Sequence, residues 1–281
     1  MSDTILDRRQ LYINGSWVDP AVANDFDVID PSTEDVAAVI SLGGEADTNA
    51  AVAAAKAAFP AWAATSVEER IALLEKLYDI YKARAAEMAE AITTEMGAPQ
   101  DMSGAQQVGA GLGHIKSIIR ALKEFEFERP LGDHAPDNVI LYEPVGVCAL
   151  ITPWNWPMNQ VTLKVIPAIG VGCTMVLKPS EIAPLSGSLF ADMVHEAGFP
   201  AGVFNMVHGD GVGVGTQLSG HPGVDMVSFT GSTRAGVAIT KNAADTVKRV
   251  ALELGGKGAN IIFAPLPVSY THLTLPTTPY V

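Results

Sequence analysis

From Val145 onwards the chain alternates between short strand-forming runs and longer helix-forming ones, and few folds satisfy such a pattern. The strand-like runs are Val145–Ile151, Thr174–Leu177, Val203–Val207, Met226–Phe229, Val250–Leu254 and Asn260–Phe263. Helical segments fill most of the gaps: Pro157–Gly170, Pro184–Ala197, Val212–Ser219 and Ser232–Ala244. Strand, helix and strand repeated in this way predict an α/β fold built on a parallel sheet with helices on both faces. With 48% hydrophobic residues, a chain of 281 residues can bury both faces of such a sheet. Ligands of these sheets bind beyond the carboxyl ends of the strands, so the residues after each strand are the candidates for chemistry.

The preceding part predicts an N-terminal helical region. Leu11–Val18 reads as two short strands around an Asn-Gly turn. Asp47–Ala64 is an Ala-rich helix interrupted near Pro60. Ser66 and Glu69 form a capping box that opens a long helix to about Met96, closed by Gly97 and Pro99, with Ile71, Leu74, Tyr78 and Tyr81 as its buried stripe. A helix more broken by glycine covers Asp101–Lys123. The strict alternation of Glu124–Glu128, a turn-rich segment and Val139–Tyr142 then predict a hairpin with one polar and one apolar face.

Composition excludes some functions. A formal charge of −13 repels phosphate, which argues against nucleic-acid and anionic-membrane partners. The longest nearly apolar run, Val165–Leu177, is too short to span a bilayer, and the N-terminus has no apolar signal segment. The two cysteines, Cys148 and Cys173, lie in apolar segments without metal-ligand spacing. A reduced, cytoplasmic protein without a metal site is expected.

Each strand end carries a polar signal with a bland alternative. Thr152-Pro-Trp-Asn-Trp-Pro157 holds Asn155 rigidly enough to donate to a developing oxyanion, or is simply a Pro-Trp turn that starts a helix. Lys178-Pro-Ser-Glu181 either clasps ribose hydroxyls or forms a solvated ion pair at a helix start. The glycines of Gly209–Gly215 permit close backbone approach. In Phe229-Thr-Gly-Ser-Thr233, Gly231, the Ser232 hydroxyl and a following helix N-terminus suit a pyrophosphate, although the glycine spacing is not G-x-G-x-x-G. Glu253 is either a partly buried carboxylate with a raised pKa, able to act as a general base, or a structural acid bonded to nearby amides.

Pro153-Trp-Asn-Trp-Pro157, Lys178-Pro-Ser-Glu181, Phe229-Thr-Gly-Ser-Thr233 and Leu252-Glu-Leu-Gly-Gly-Lys257, in that order, resemble the aldehyde dehydrogenase superfamily over roughly residues 10 to 264. The resemblance implies a Rossmann-like coenzyme-binding domain and NAD(P)-dependent oxidation of an aldehyde to a carboxylic acid through a cysteine-bound thiohemiacetal and thioester. By position, Asn155 becomes the oxyanion donor and Glu253 the base. Lys178 and Glu181 hold the adenosine ribose. Ser232 contacts the pyrophosphate, Gly211 and Gly215 line the adenine side, and Thr152, Trp154, Thr230 and Gly231 complete the coenzyme surface. Glu181 favours NAD over NADP, because a carboxylate beside the 2′ position repels a phosphate. Residues 125–143 resemble an oligomerisation arm, which implies a homodimer or homotetramer for a full-length form acting on a small-molecule aldehyde. Gly258 departs from the family, which usually has serine or another small polar residue there.

The family's catalytic cysteine follows the glutamate by a few dozen residues, but no cysteine follows Glu253 in this chain. Cys148 and Cys173, in apolar strand settings, read as small hydrophobes rather than nucleophiles. Residues 265–281 hold four prolines and four threonines and no Asp, Glu, Lys or Arg, a composition unlike the family's. The expectation is a coenzyme-binding domain over residues 1–264, an artefactual tail over 265–281, and no catalytic cysteine domain, hence an incomplete and inactive enzyme. A non-catalytic dinucleotide-binding module is the alternative, and a hydrolase that uses Glu253 and Asn155 with water is a more remote one.

Overall fold

The computed structural model describes residues 5–259. The expected strand Asn260–Phe263 and the segment 265–281 lie outside the described residues. The chain opens with β1 (Leu6–Asp7), β2 (Leu11–Ile13), β3 (Ser16–Val18), β4 (Asp25–Ile29) and β5 (Val36–Ser41). Five helices follow: α1 (Glu45–Ala63), α2 (Val67–Ala83), α3 (Ala85–Met96), the single turn α4 (Gln100–Met102) and α5 (Gly109–Glu124), the last two joined by a wider helical turn over Ser103–Val108. A two-stranded ribbon, β6 (Glu128–Pro130) and β7 (Val139–Leu141), leads into the alternating part. That part comprises β8 (Val147–Ile151), α6 (Pro157–Gly170), β9 (Thr174–Lys178), α7 (Leu185–Ala197), β10 (Phe204–Met206), α8 (Thr216–Gly220), β11 (Met226–Gly231), α9 (Thr233–Ala243) and β12 (Arg249–Leu254).

The main sheet has the order β12-β11-β8-β9-β10-β2-β3. Its first five strands are parallel, as the alternation requires. β2 joins β10 antiparallel, so the sheet is mixed at that edge. Asn14 and Gly15 both take positive φ (53° and 77°) in the two-residue turn between β2 and β3, which is the hairpin geometry that Asn-Gly favours. Along the parallel strands the chain winds outwards from β8 to β10, then returns to β8's other side to add β11 and β12. The reversal between β8 and β11 is the switch point of a doubly wound, Rossmann-like sheet.

Side-chain alternation supplies both cores. Cys148, Leu150, Met175, Leu177, Phe204 and Met206 face α2, α5, α6 and α7. Val147, Ala149, Ile151, Val176 and Val227 face α1, α8 and α9. Each of the Val, Leu, Ile, Phe and Met side chains among them, fully buried, contributes roughly 1.5–3 kcal/mol of transfer free energy. Pro157 opens α6 at the position where a missing N–H costs nothing. Entry to β8 depends on Gly146 (φ 122°): a Cβ there would lie 2.1 Å from the Asp225 carboxylate, which accepts the Val147 N–H at 2.8 Å.

Four features differ from the sequence expectation. Helix α1 runs unbroken through Pro60, because the proline is exposed three residues from the helix end and its freed carbonyl partner at Lys56 faces solvent. The long helix after the Ser66 capping box, which forms as expected, breaks at Arg84 into α2 and α3. There the guanidinium spans Glu87 at 2.8 Å and Glu196 at 3.4 Å. Helix α5 extends to Glu124, so β6 starts only at Glu128; Phe125 ends the helix by donating its N–H to the Ala121 carbonyl and packs on Phe127 and Tyr142. The N-terminal region also contains a three-stranded sheet, β1-β5-β4, beside its helices.

Helix α3 is tied to α7 by one buried carboxylate. Glu95, 1% exposed, accepts the backbone N–H groups of Leu185 and Ser186 and the Ser186 hydroxyl at the start of α7. Burial outweighs these three donors and pushes its pKa up to about 7 from the ordinary 4.5. Between those two values the folded chain binds more protons than the unfolded one, so this group's stabilisation is complete below about pH 4.5 and is lost as pH rises through about 7. The total change is roughly 3 kcal/mol. Urea unfolding of the wild type and Glu95→Gln across pH 5 to 8 should show a smaller loss of stability in the variant. Identical pH slopes would exclude Glu95 as the source.

Candidate functional site

The carboxyl ends of β8, β9 and β11 bring several of the expected residues together. Ile151 pairs with Phe229 on β11 and with Lys178 on β9, so Thr152 and Thr230 each lie one residue beyond a paired position at the switch point. The Thr152 amide donates to the Lys178 carbonyl at 3.2 Å. Both threonine hydroxyls are buried without a hydrogen-bond partner in the described residues. Together they leave hydrogen-bonding capacity at two adjacent strand ends that no described residue uses.

Lys178 is 3% exposed, and its ammonium donates to Glu181 Oε2 at 3.1 Å and to the Gly209 carbonyl. Burial pushes its pKa down, and the Glu181 carboxylate partly restores it. The Glu181 carboxylate, about a quarter exposed, opens towards solvent. Behind this pair His208 is wholly buried, with Nε2 3.3 Å from Ser188 Oγ and Nδ1 unpartnered in the described residues. Burial and the nearby Lys178 charge lower its pKa to about 3, so the imidazole is neutral. His208 carries no motif, and the sequence reading did not single it out.

The glycine-rich segment forms a wide helical turn over Gly211–Gly215, capped by Asp210, whose carboxylate accepts the Gly213 N–H at 2.6 Å. Nothing in the described chain lies within 4 Å of a Cβ built on Gly211, so the protein's own packing does not require glycine there. Gly215 is buried, and a Cβ there would meet the Asp210 carbonyl at 3.5 Å. Gly231 is different: a Cβ would strike the Phe229 ring at 2.5 Å. Ser232 is the N-cap of α9, its hydroxyl accepting the Ala235 N–H at 3.2 Å, and it leaves that helix's positive end facing the switch point.

The candidate oxyanion donor and base are placed less as expected. Trp154 and Asn155 are both exposed in the turn before α6. Glu253 is exposed on the outer strand β12, paired in register with Thr230, which corrects the expectation of a partly buried carboxylate. Alternation explains the error: Val250 and Leu252 pack inwards against α9, and the intervening residues face the flank of the sheet. That flank holds a cavity of about 480 Å³, lined among others by Glu253, Lys164, Ser228 and Leu163 but not by Asn155. Lys164 is buried, donates to Ser228 Oγ at 2.9 Å, and has its pKa lowered by burial to about 8 despite the Glu253 charge. It is a second residue that sequence reasoning missed. Its signal was a lysine three residues after Val161 on the apolar stripe of α6.

Among the described residues no group of three or more His, Cys, Asp and Glu side chains is arranged to hold a metal ion, and no helix is long and apolar enough to cross a membrane.

The chain matches the model of the aldehyde dehydrogenase family over residues 17–269, past the boundary at 264 drawn from composition. It is 52% identical to a 3-succinoylsemialdehyde-pyridine dehydrogenase of Pseudomonas over 95% of this chain and 56% of that protein. A crystal structure of an aldehyde dehydrogenase from Bartonella henselae superposes with a TM-score of 0.90 at 56% identity, covering 94% of this chain and 56% of that one. Aldehyde dehydrogenase C of Pseudomonas syringae, solved as a point mutant with NAD+ and octanal, superposes with a TM-score of 0.87 at 47% identity, covering 90% of this chain and 51% of that one. The chain therefore spans about half the length of the relatives it matches.

The N-cap bond of Ser232 gives this strand end a measurable local stability. Ser232→Ala should lower the unfolding free energy by about 1 kcal/mol, whereas Ser232→Asn, which restores an acceptor, should recover most of it. Equal stability of all three proteins in urea titration would show that the hydroxyl does not cap α9.

Proposed function

Because this chain belongs to the aldehyde dehydrogenase family, we propose that it is the coenzyme-binding part of an NAD-dependent enzyme that oxidises an aldehyde to a carboxylic acid. The observation that carries the proposal is the pair of orphan hydroxyls, Thr152 and Thr230, on adjacent strands at the switch point. Bound NAD supplies a hydride acceptor. The Glu181 carboxylate, steadied by Lys178, accepts hydrogen bonds from the adenosine ribose hydroxyls and disfavours a 2′-phosphate. Ser232 and the N-terminal amides of α9 orient the pyrophosphate, Gly231 keeps the adjoining strand end clear of side chain, and Gly211 and Gly215 admit the adenine side. Trp154 adds an exposed ring to the coenzyme surface.

For the chemistry, Asn155 supplies a side-chain N–H for the oxyanion and Glu253 takes the proton from the attacking thiol or water. Their exposure suits groups that act against a neighbouring domain. The nucleophilic cysteine belongs to a segment without counterpart here, since cysteine occurs only at 148 and 173. On this reading residues 1–264 are one functional unit with the β6–β7 ribbon inserted in it, and 265–281 lie outside that unit. Exposed Phe125, Leu131, Val139, Leu141 and Tyr142 on and beside the ribbon support its use as an arm in a homodimer or homotetramer. A cytoplasmic location accords with two reduced cysteines.

Calorimetric titration of the 281-residue chain should show NAD binding that Glu181→Ala weakens by about 1.5–3 kcal/mol, the range for a hydrogen bond to a charged group. Unchanged affinity would remove Glu181 from the ribose site. The same chain should form no NADH above background with aliphatic or aromatic aldehydes, because nothing in it replaces the covalent step. Joined to a family-type cysteine-containing half it should turn over, and Glu253→Gln should then abolish most of that activity. Turnover by the 281-residue chain alone, lost in Cys148→Ser or Cys173→Ser, would overturn the assignment of the nucleophile.

A further inference from the structure

The loop over residues 179–184 carries Glu181 between two fixed ends. At the first end Lys178 closes β9, and its buried ammonium donates to the Gly209 carbonyl and, at 3.1 Å, to Glu181 Oε2. At the far end α7 begins, where the first amides need acceptors that the local chain does not supply: the N-cap residue is Pro184, whose side chain has none. Glu95 fills that place from α3, 90 residues away, by accepting the Leu185 amide, the Ser186 amide at 3.1 Å and the Ser186 hydroxyl. We propose that Glu95 is a positioning residue for the coenzyme site, which fixes the far end of the loop that presents Glu181 to the adenosine ribose; the inference rests on the coenzyme reading above.

The hydrogen bonds inside the loop are local. Ala183 donates its N–H to the Ser180 carbonyl at 3.2 Å, and Ile182 donates to the Ser180 hydroxyl at 3.3 Å. Pro179 and Pro184 have no N–H to give. Residues 179, 180, 183 and 184 are buried, Glu181 is half-buried and Ile182 is exposed, so the loop is seated in the protein with its tip turned outwards. Its seat is α7: a Cβ built on Gly187, in that helix's first turn, would lie 3.2 Å from Pro179 Cβ. Glu181 stands four residues before Leu185, and the loop between them follows wherever the start of α7 goes.

The chemistry at position 95 sets what each substitution does. With Glu95 only 1% exposed, its three donors have no water to turn to. A glutamine there keeps an oxygen that accepts both backbone amides, whereas an alanine leaves those amides buried and unsatisfied. A second tether keeps α7 in place when Glu95 is lost: the Ser188 hydroxyl donates to the Pro184 carbonyl at 3.0 Å and lies 3.3 Å from His208 Nε2. Loss of the carboxylate therefore loosens the start of the helix, and the loop with it, without releasing the helix.

The test is a double-mutant cycle on the whole 281-residue chain, read as the dissociation constant of NAD by calorimetry. Glu95→Ala should weaken NAD about fivefold or more, and Glu95→Gln should recover most of that loss. In a Glu181→Ala background the Glu95→Ala change should cost less than about twofold, because the carboxylate it positions is already gone. A residue that only stabilises the fold would weaken binding equally in both backgrounds. Should Glu95→Ala not fold, Glu95→Asp, which keeps the charge but is one methylene shorter, carries the same cycle. Equal losses in the two backgrounds, or wild-type affinity in the Glu95 variant, would overturn the positioning role and leave Glu181 at the ribose. A wild type that binds no NAD, or no more tightly than Glu181→Ala, would instead sink the coenzyme reading and this inference with it.

Discussion

Parallel strands cannot be joined by a tight turn, and in this chain that constraint falls most heavily on β8. It lies between β9, which follows it in sequence, and β11, which the chain reaches only after two further crossovers. Asp225 holds the junction. Its carboxylate accepts the Val147 amide as β8 begins, its own amide donates to the Val147 carbonyl, and its carbonyl receives Arg249 as β12 begins. One residue thus coordinates the entries of three strands, and Gly146 supplies the space it needs. With those entries fixed, the register carries Ile151, Lys178 and Phe229 to the same level at the far end, where Thr152, Thr230 and Ser232 converge.

That arrangement separates two kinds of environment only a few residues apart. At the strand ends, polar groups are held from within the fold: the buried Lys178 by Gly209 and Glu181, and the half-buried Ser232 by α9. On the flank beside β12 the sheet face is open, and Glu253 stands in it next to a buried lysine. The first environment positions a ligand by rigid contacts. The second holds an exposed carboxylate beside a buried lysine in an open, mostly apolar cavity.

The sequence made the alternating half legible because buried parallel strands and their crossover helices each have a distinct period and clear punctuation. Pro157 and Gly170 bound α6 as expected, and Asn14-Gly15 identified its own turn. The first part was harder to read. The strands β4 and β5 are half exposed and have no turn signal as strong as Asn-Gly, and the break at Arg84 falls in a run rich in good helix formers. For the site, motif residues revealed which side chains come together but not their burial. Glu253 was misjudged because the residues flanking it are apolar in sequence, whereas exposure is set by whichever element covers that face. Lys164 and His208 belong to no motif, and their surroundings are built by residues far from them in the chain.

The antiparallel edge of the main sheet has a consequence for biosynthesis. The β2–β3 hairpin can form as soon as it leaves the ribosome, but its neighbour is β10, and Tyr12 pairs with Met206. At about 5–20 residues per second, on the order of ten seconds or more separate the emergence of these two partners. Throughout that interval β2 is paired only with β3, and the edge that Met206 later takes, beside the buried Tyr12, stays uncovered. A nascent chain of this topology is therefore a natural client for chaperones that hold early apolar segments, and the hairpin must be the last piece of the sheet's far edge to dock.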